Sequence, residues 1–495
     1  MTSPAFVPLA ITVFTPLLGM GLLAVVRTLS LAGWLNLGLV IIEFSASLVL
    51  AYDVAQGGEF IAHSFHIDAF NVYLVVLTTF VGLTTAIFSR PYMVEVCEQG
   101  HITSRRMRLY HSMFQGFQFT MLLALTTDNL GILWVAVEGA TLVTVLLVSL
   151  YRTPESVEAA WKYFILCGVG IALALFGTVL VYFAAQQVLS DPEQGLTWST
   201  LYTQAANLDP AVMRIAFVFL IVGYGTKVGL VPMHFWLPDA HSEGPTPVSA
   251  VLSGLLLNVA LYAVVRFKML TDGALADSLS PNTAGYLMMA FGLVSFSVAV
   301  LSLQRQRDIK RMFSYSSIEH MGLMTFAFGI GGPLATFAAL LHMLVHSLTK
   351  SAIFVTVGHA SHIAGTQSIE HIRGLIRTQP GVGWGLLLGV AAIAGFPPFG
   401  IFTSEFLILS ATMQLWPWLT LLLLIGLVVA FAGLFRNLHP MVYGAIPDGQ
   451  VPVKANMFPV VVHLFLVLWL GLAIPAFLSS WLDEVTRLIS GKGLL

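Results

Sequence analysis

The chain is 495 residues long, 57% hydrophobic and 9% charged, with a mean hydropathy of +0.87 and a formal net charge of −2. Soluble domains carry about a quarter charged residues, so this composition excludes a soluble protein and indicates an all-α polytopic membrane protein. The near-neutral charge excludes a nucleic-acid partner, and two distant cysteines, Cys97 and Cys167, are too few for an iron–sulfur cluster or a four-ligand zinc site. No glycine-rich phosphate loop follows a strand pattern, so no nucleotide fold and no cofactor are expected.

Fourteen apolar stretches follow in chain order: 5–26, 31–52, 69–89, 110–127, 130–150, 161–185, 212–236, 246–266, 285–303, 314–331, 334–358, 382–412, 417–435 and 457–480. Each is near the ~20 residues that cross a bilayer. The first has no Lys or Arg before it and reads as a retained helix, not a cleaved signal. Of the 22 lysines and arginines, fifteen fall in loops on one side, five on the other, and Lys227 and Lys350 within spans. The bias of positive charge toward the cytoplasm then predicts both termini on the outer, periplasmic side of a bacterial inner membrane. After the last span, Trp481–Ile489 is expected to lie along the interface.

Several ionisable residues fall inside these spans. Glu43 lies in the second, Glu138 in the fifth, Lys227 in the seventh and Glu405 in the twelfth. His342, His346 and Lys350 recur every four residues in the eleventh, which puts them along one helical face. An ionised side chain at mid-bilayer costs about 2.5–3.5 kcal/mol even on the mildest scale, a cost reduced when such groups face one another or water. One such residue alone has a structural ion pair between helices as an alternative reading. Five or six on separate spans point to proton transfer, with Glu138 paired to Lys227 and the histidines bridging onward to Glu405. Glu43 has no evident partner and reads equally as structural or functional. Two histidines at i, i+4 are half of a metal motif, but no Glu follows the first and no third acidic ligand is near, so no metal is expected.

Two spans are interrupted. Pro232 removes a backbone donor from the seventh, beside Gly223, Gly225 and Gly229. Gly395-Phe396-Pro397-Pro398-Phe399-Gly400 divides the twelfth. Broken helices at corresponding places in two repeats mark ion sites in transporters. The breaks lie five spans apart, an odd offset, so the repeats would be inverted in the membrane.

The segments GYGTKVGLVPMHFWLPDAHSEGPTPVSAVL, RDIKRMFSYSSIEHMG, HMLVHSLTKSAIFVTVGH and GFPPFGIFTSEF, in this order, resemble the hallmark blocks of the antiporter-like proton-translocating family. That family comprises membrane-arm subunits of respiratory complex I, subunits of Mrp-type Na⁺/H⁺ antiporters and membrane subunits of group 4 hydrogenases. The resemblance covers 68–436, and GILWVAVEGATLVTVLLVSLYRTPESVEAAWKYFILCGVG together with SSIEHMG is most similar to hydrogenase-4 component F. It implies helices 1–3 over 1–109, a first five-helix repeat over 110–268, a second, inverted one over 269–440, and helix 14 with a short tail over 441–495. It also implies proton transfer through Glu138, Lys227, His342, His346, Lys350 and Glu405. Some members carry a central Lys or His in the eighth span. This chain has Ser253 and Asn258 there, so ordered water held by Ser253, Asn258 and Tyr262 would complete the wire.

The implied function is a proton-translocating subunit of a redox-driven complex, of the hydrogenase-4/formate hydrogenlyase or complex I type, with no redox site of its own. Its implied partners are other membrane subunits, soluble subunits with nickel–iron or iron–sulfur centres, and the lipid bilayer. The alternatives are an Mrp-type Na⁺/H⁺ antiporter subunit, or a non-pumping scaffold of an inorganic-carbon uptake or hydrogenase assembly.

Overall fold

The computed structural model describes residues 5–446 and 455–494, which are helical almost throughout. Lys454, one of the fifteen charges counted above, lies outside the described residues. The first helices are α1 (Phe6–Val25), α2 (Leu29–Gly57), α3 (Ala69–Glu98), α4 (Ser104–Thr126), α5 (Leu130–Val148), α6 (Pro154–Gln186), α7 (Trp198–Thr203) and α8 (Pro210–Val228). Then come α9 (Trp236–Glu243), α10 (Thr246–Val251), a π turn at Leu252–Leu256, α11 (Leu257–Leu275), α12 (Thr283–Leu303), α13 (Ile309–Ile330) and α14 (Gly332–Ala364). The last are α15 (Leu375–Thr378), α16 (Pro380–Ile393), α17 (Gly400–Leu415), α18 (Pro417–Tyr443), α19 (Phe458–Leu472) and α20 (Ala476–Ser490). A short antiparallel hairpin, β1 (Phe60–Ala62) with β2 (Phe65–Ile67), precedes α3.

Short polar side chains start many of these helices by accepting the first free backbone N–H groups. Asp68 accepts from the amides of Phe70 and Asn71 at 3.0 and 2.9 Å, and Asn71 closes the box by accepting from the Asp68 amide. Asn129 caps α5 and Asp308 caps α13 in the same way. Thr153 and Asp209 cap α6 and α8, each followed by a proline at the first helical position, where the missing N–H costs nothing.

Among the described residues ten helices are long and apolar enough to cross a membrane, or eleven if the pair α19 and α20 is one span. That pair bends by 79° at Ala473–Pro475. The expected last span, 457–480, therefore stops at Leu472, and the amphipathic stretch expected from Trp481 begins earlier, at Ala476.

The chain forms two compact units. The first comprises 1–236 and 255–288, the second 237–254 and 289–495, so the divisions fall near the seventh and eighth spans and within α12. In the first unit α8 packs between α6 and α11. The α6–α8 contact is close because glycines line it. A Cβ on Gly223 would come within 2.5 Å of the Ala174 amide nitrogen, and one on Gly177 within 2.7 Å of Leu220. In the second unit the 33-residue α14 is central, packed by α10, α13, α16, α17, α19 and α20.

Candidate functional site

The seventh span breaks as expected, but its stop is not Pro232. Gly229 takes a left-handed backbone at φ +86° and ends α8 at Val228. The Leu230 amide then donates back to the Gly225 carbonyl at 2.8 Å, a glycine-terminated helix end. Pro232 lies in the turn that follows, where the helix is already over. The Trp236 indole, which opens α9, donates to the Thr226 carbonyl at 2.8 Å and so satisfies another of the carbonyls the break exposes.

Lys227 sits in the last turn of α8, fully buried, where a cation is favoured by the helix dipole. Its ammonium donates to the Thr141 hydroxyl of α5, and that hydroxyl donates to Oε2 of Glu138 at 3.0 Å, one turn earlier on the same helix. Lys227 and Glu138 are therefore brought together through Thr141. Around them the Lys227 ammonium lies 5.2 Å from the ring centre of Tyr163, whose hydroxyl is 2.8 Å from Thr144. Tyr163 stacks on Trp236 at 4.6 Å, which ties the cluster to the helix break.

The twelfth span breaks between Ile393 and Gly400, so Pro397 and Pro398 fall in the gap. Gly395 has φ +68°, and a Cβ there would overlap the Glu405 carboxylate. Glycine is required at this turn for both reasons. Glu405 and Ser404, on the first turns of α17, face His320 and His342. His320 Nδ1 and His342 Nε2 are 3.0 Å apart, the other ring nitrogen of His342 is 2.8 Å from the Ser404 hydroxyl, and His320 is 3.9 Å from Glu405. His346 lies one turn along α14, its ring centre 5.5 Å from that of His320 and 6.3 Å from that of His342. Lys350, another turn on, donates to the Phe313 carbonyl at 2.9 Å, and the buried Glu319 is within its electrostatic reach. The second unit thus gathers one lysine, three imidazoles, two carboxylates and a hydroxyl in its interior. Among the described residues no group of three or more His, Cys, Asp or Glu is arranged to hold a metal ion.

These two clusters, each beside a helix break, are accompanied by similarity to known proteins along the chain. The family described as NADH:quinone oxidoreductase/Mrp antiporter, TM, matches residues 127–431. A hydrogenase-4 component F homolog of Methylacidiphilum infernorum is 47% identical over 97% of this chain and 99% of that one. The chain belongs to the NADH:quinone oxidoreductase/Mrp antiporter family. Its fold matches a chain of an archaeal membrane-bound sulfane sulfur reductase with a TM-score of 0.87 at 23% identity, covering 97% of each. It also matches a chain of the Mrp complex of Dietzia sp. DQ12-45-1b with a TM-score of 0.85 at 18% identity, covering 98% of each.

This antiporter-like subunit places the remaining candidates as follows. Ser253, in the π turn, shares a 2.7 Å hydrogen bond with Ser317 of α13. The adjacent Gly254 carbonyl, displaced by the π geometry, accepts from Ser347 of α14 at 2.6 Å. Asn258 is buried in α11. Tyr262 differs from expectation: its hydroxyl donates to the Leu125 carbonyl at 3.0 Å, so its hydrogen already has a protein acceptor. Glu43 is fully buried on α2, where Asn36 accepts from Gln115 of α4 at 3.0 Å. Sequence reasoning missed Thr141, Glu319, His320 and Ser404. Glu319 and His320 lie inside the quoted block SSIEHMG. Thr141 and Ser404 are each three residues or fewer from a candidate carboxylate on the same helix, which was the available signal.

Proposed function

We propose that this subunit translocates protons within a redox-driven complex of the hydrogenase-4 or complex I type, in a bacterial cytoplasmic membrane. On this reading electron transfer takes place in soluble partner subunits with nickel–iron or iron–sulfur centres. Other membrane subunits join them to this one, and both termini lie on the outer side. What carries the proposal is the pairing of a fully buried lysine with a glutamate across one bridging hydroxyl, beside a helix break. Such groups are costly in a bilayer and are kept where charge must move.

The chemistry is proton exchange under electrostatic control. With Glu138 ionised and Thr141 in line, the Lys227 ammonium is stabilised by a hydrogen bond and by an opposite charge. A shift of α5 against α8 that breaks the Thr141 link removes that support, and a buried ammonium without support gives up its proton. In the other cluster His320 and His342 lie 3.0 Å apart, Glu405 is 3.9 Å from His320, the His346 ring lies one turn along α14, and Lys350 supplies a second buried amine. Each break leaves backbone carbonyls and amides outside a helical ladder, which can hold water beside the charged groups.

The experiment is Lys227→Ala in the complete complex reconstituted into vesicles. Donor-driven, uncoupler-sensitive acidification is expected to be lost while the electron donor is still oxidised or the two stop together. Proton movement at the wild-type ratio to electrons would overturn the proposal. So would proton flux that requires Na⁺ and proceeds without an electron donor, the behaviour of a cation/proton antiporter.

A further inference from the structure

A cleft of ≈ 780 Å³ opens in the first unit between the end of α1, the start of α4 and the turn before α6. Arg105, Arg106, Arg108 and Arg152 line it, with Ala24, Leu109 and Met113 beside them. Four arginines in one cleft are unusual in a chain with 22 lysines and arginines spread over 495 residues. None of the four forms an ion pair with a carboxylate among the described residues. Arg106 donates to the Tyr151 carbonyl at 3.4 Å and so joins α4 to the turn that carries Arg152. Arg152 itself adopts the left-handed region at φ +58°, which a non-glycine residue seldom occupies.

The arrangement has two chemical faces. The arginines present donors and positive potential to one small space. Beside it, α1 exposes Leu22 and Val25, at 45% and 69% exposure, along the same end of the helix that supplies Ala24. A soluble anion needs the first face only. A molecule with a phosphodiester and hydrocarbon chains uses both, and the volume suits a headgroup with its glycerol.

We propose that this cleft binds the phosphodiester headgroup of an anionic phospholipid, with its acyl chains lying along α1. Arg105, Arg108 and Arg152 hold the phosphate oxygens by charge-assisted hydrogen bonds, and Arg106 keeps the Arg152 turn against α4. The site lies apart from the Lys227 cluster in sequence and chemistry, and the proposal does not depend on proton transport.

The test uses the purified full chain in neutral detergent and follows binding of dihexanoyl phosphatidylglycerol by native mass spectrometry. Dihexanoyl phosphatidylcholine and inorganic phosphate are the comparison probes. Phosphatidylglycerol is expected to bind tightest, and R105Q/R108Q/R152Q is expected to weaken it by about tenfold or more, since each basic residue near an anionic lipid contributes several-fold. R305Q/R307Q, which removes charge from another loop, is expected to leave binding unchanged. Should the triple variant not fold, R105Q and R152Q singly are each expected to weaken binding about fivefold. Equal binding of the two lipids, or wild-type affinity in the arginine variants, overturns the proposal. Inorganic phosphate competing at equal concentration would overturn the lipid as the source and assign the cleft to a soluble anion.

Discussion

Thr141 is the residue on which the first cluster turns. Its hydroxyl accepts from Lys227 and donates to Glu138, so it transmits the position of α5 to a buried charge. Thr141→Val keeps the volume and removes the hydroxyl. A hydrogen bond to a charged group is worth about 1.5–3 kcal/mol, so donor-driven proton movement in the reconstituted complex is expected to fall by roughly tenfold or more. Thr141→Ser is expected to retain it. Wild-type rates in the valine variant would show that the bridge is incidental. Lys227 and Glu138 were legible in the sequence because an ionised residue in an apolar run is conspicuous. Thr141 was not, because threonine is common in membrane helices and only its placement between two charges makes it matter. The same holds for Ser404, whose hydroxyl meets His342 across two helices. His320 escaped for a different reason: it belongs to α13, and spacing along α14 cannot show what a neighbouring helix contributes.

Between elements, the first unit has a buried ion pair, Asp68–Arg266, which joins the cap of α3 to α11 at 2.6 Å. The two side chains are 4% and 3% exposed. Phe70, Trp198 and Tyr262 offer ring faces to the guanidinium at 5.3, 4.4 and 5.0 Å. Burial pushes the Asp68 carboxyl up, but Arg266, His66 and the Asn71 amide together outweigh it and hold it below the ordinary carboxylate range. His66 in turn touches Glu59 at 2.6 Å. A depressed acid contributes stability that is fully present above its unfolded value, about 3.9, and is lost as pH falls through the folded value. Asp68→Asn leaves a buried guanidinium without its counter-ion, an expected loss of about 3–5 kcal/mol. Thermal unfolding of the detergent-solubilised chain across acid pH checks both parts: the wild type should lose stability toward low pH, and the variant should start lower and lose less. An equally steep acid limb in the variant would assign the effect to other carboxylates. This tie was hidden in the sequence, where Asp68 reads as a loop acid and Arg266 as the end of a span 198 residues away.

For the molecule as a whole, the number of crossings has a parity that can be measured. Among the described residues ten helices meet the length and apolarity expected of a span, or eleven if the bent pair α19 and α20 is one span. Four further helices, α4, α13, α16 and α17, fall short of that test for reasons that are compatible with crossing. α4 and α13 are too polar along their length, yet most of their residues are buried in protein, where a helix has no need to be apolar toward lipid. α16 and α17, at 14 and 16 residues, are about 21 and 24 Å long, each short of a bilayer core of about 30 Å but sufficient in tandem across the break at Gly395. Counting α4, α13 and the α16–α17 pair as crossings as well would give the fourteen expected from the sequence. Fourteen crossings put both termini on one side, whereas eleven put them on opposite sides. The topology proposed above, in which the more basic loops face the cytoplasm, has both on the outer side. Alkaline phosphatase fused to either end is therefore expected to be active in intact cells, and green fluorescent protein fused to either end is expected to be dark. One active and one inactive phosphatase fusion would favour an odd count and remove α4, α13 or the broken pair from the membrane. Loss of α13 in particular would also overturn the inverted repeats, because an inverted relation between the two breaks requires an odd number of crossings from one to the other, whereas loss of α4, which precedes both breaks, would leave that number unchanged.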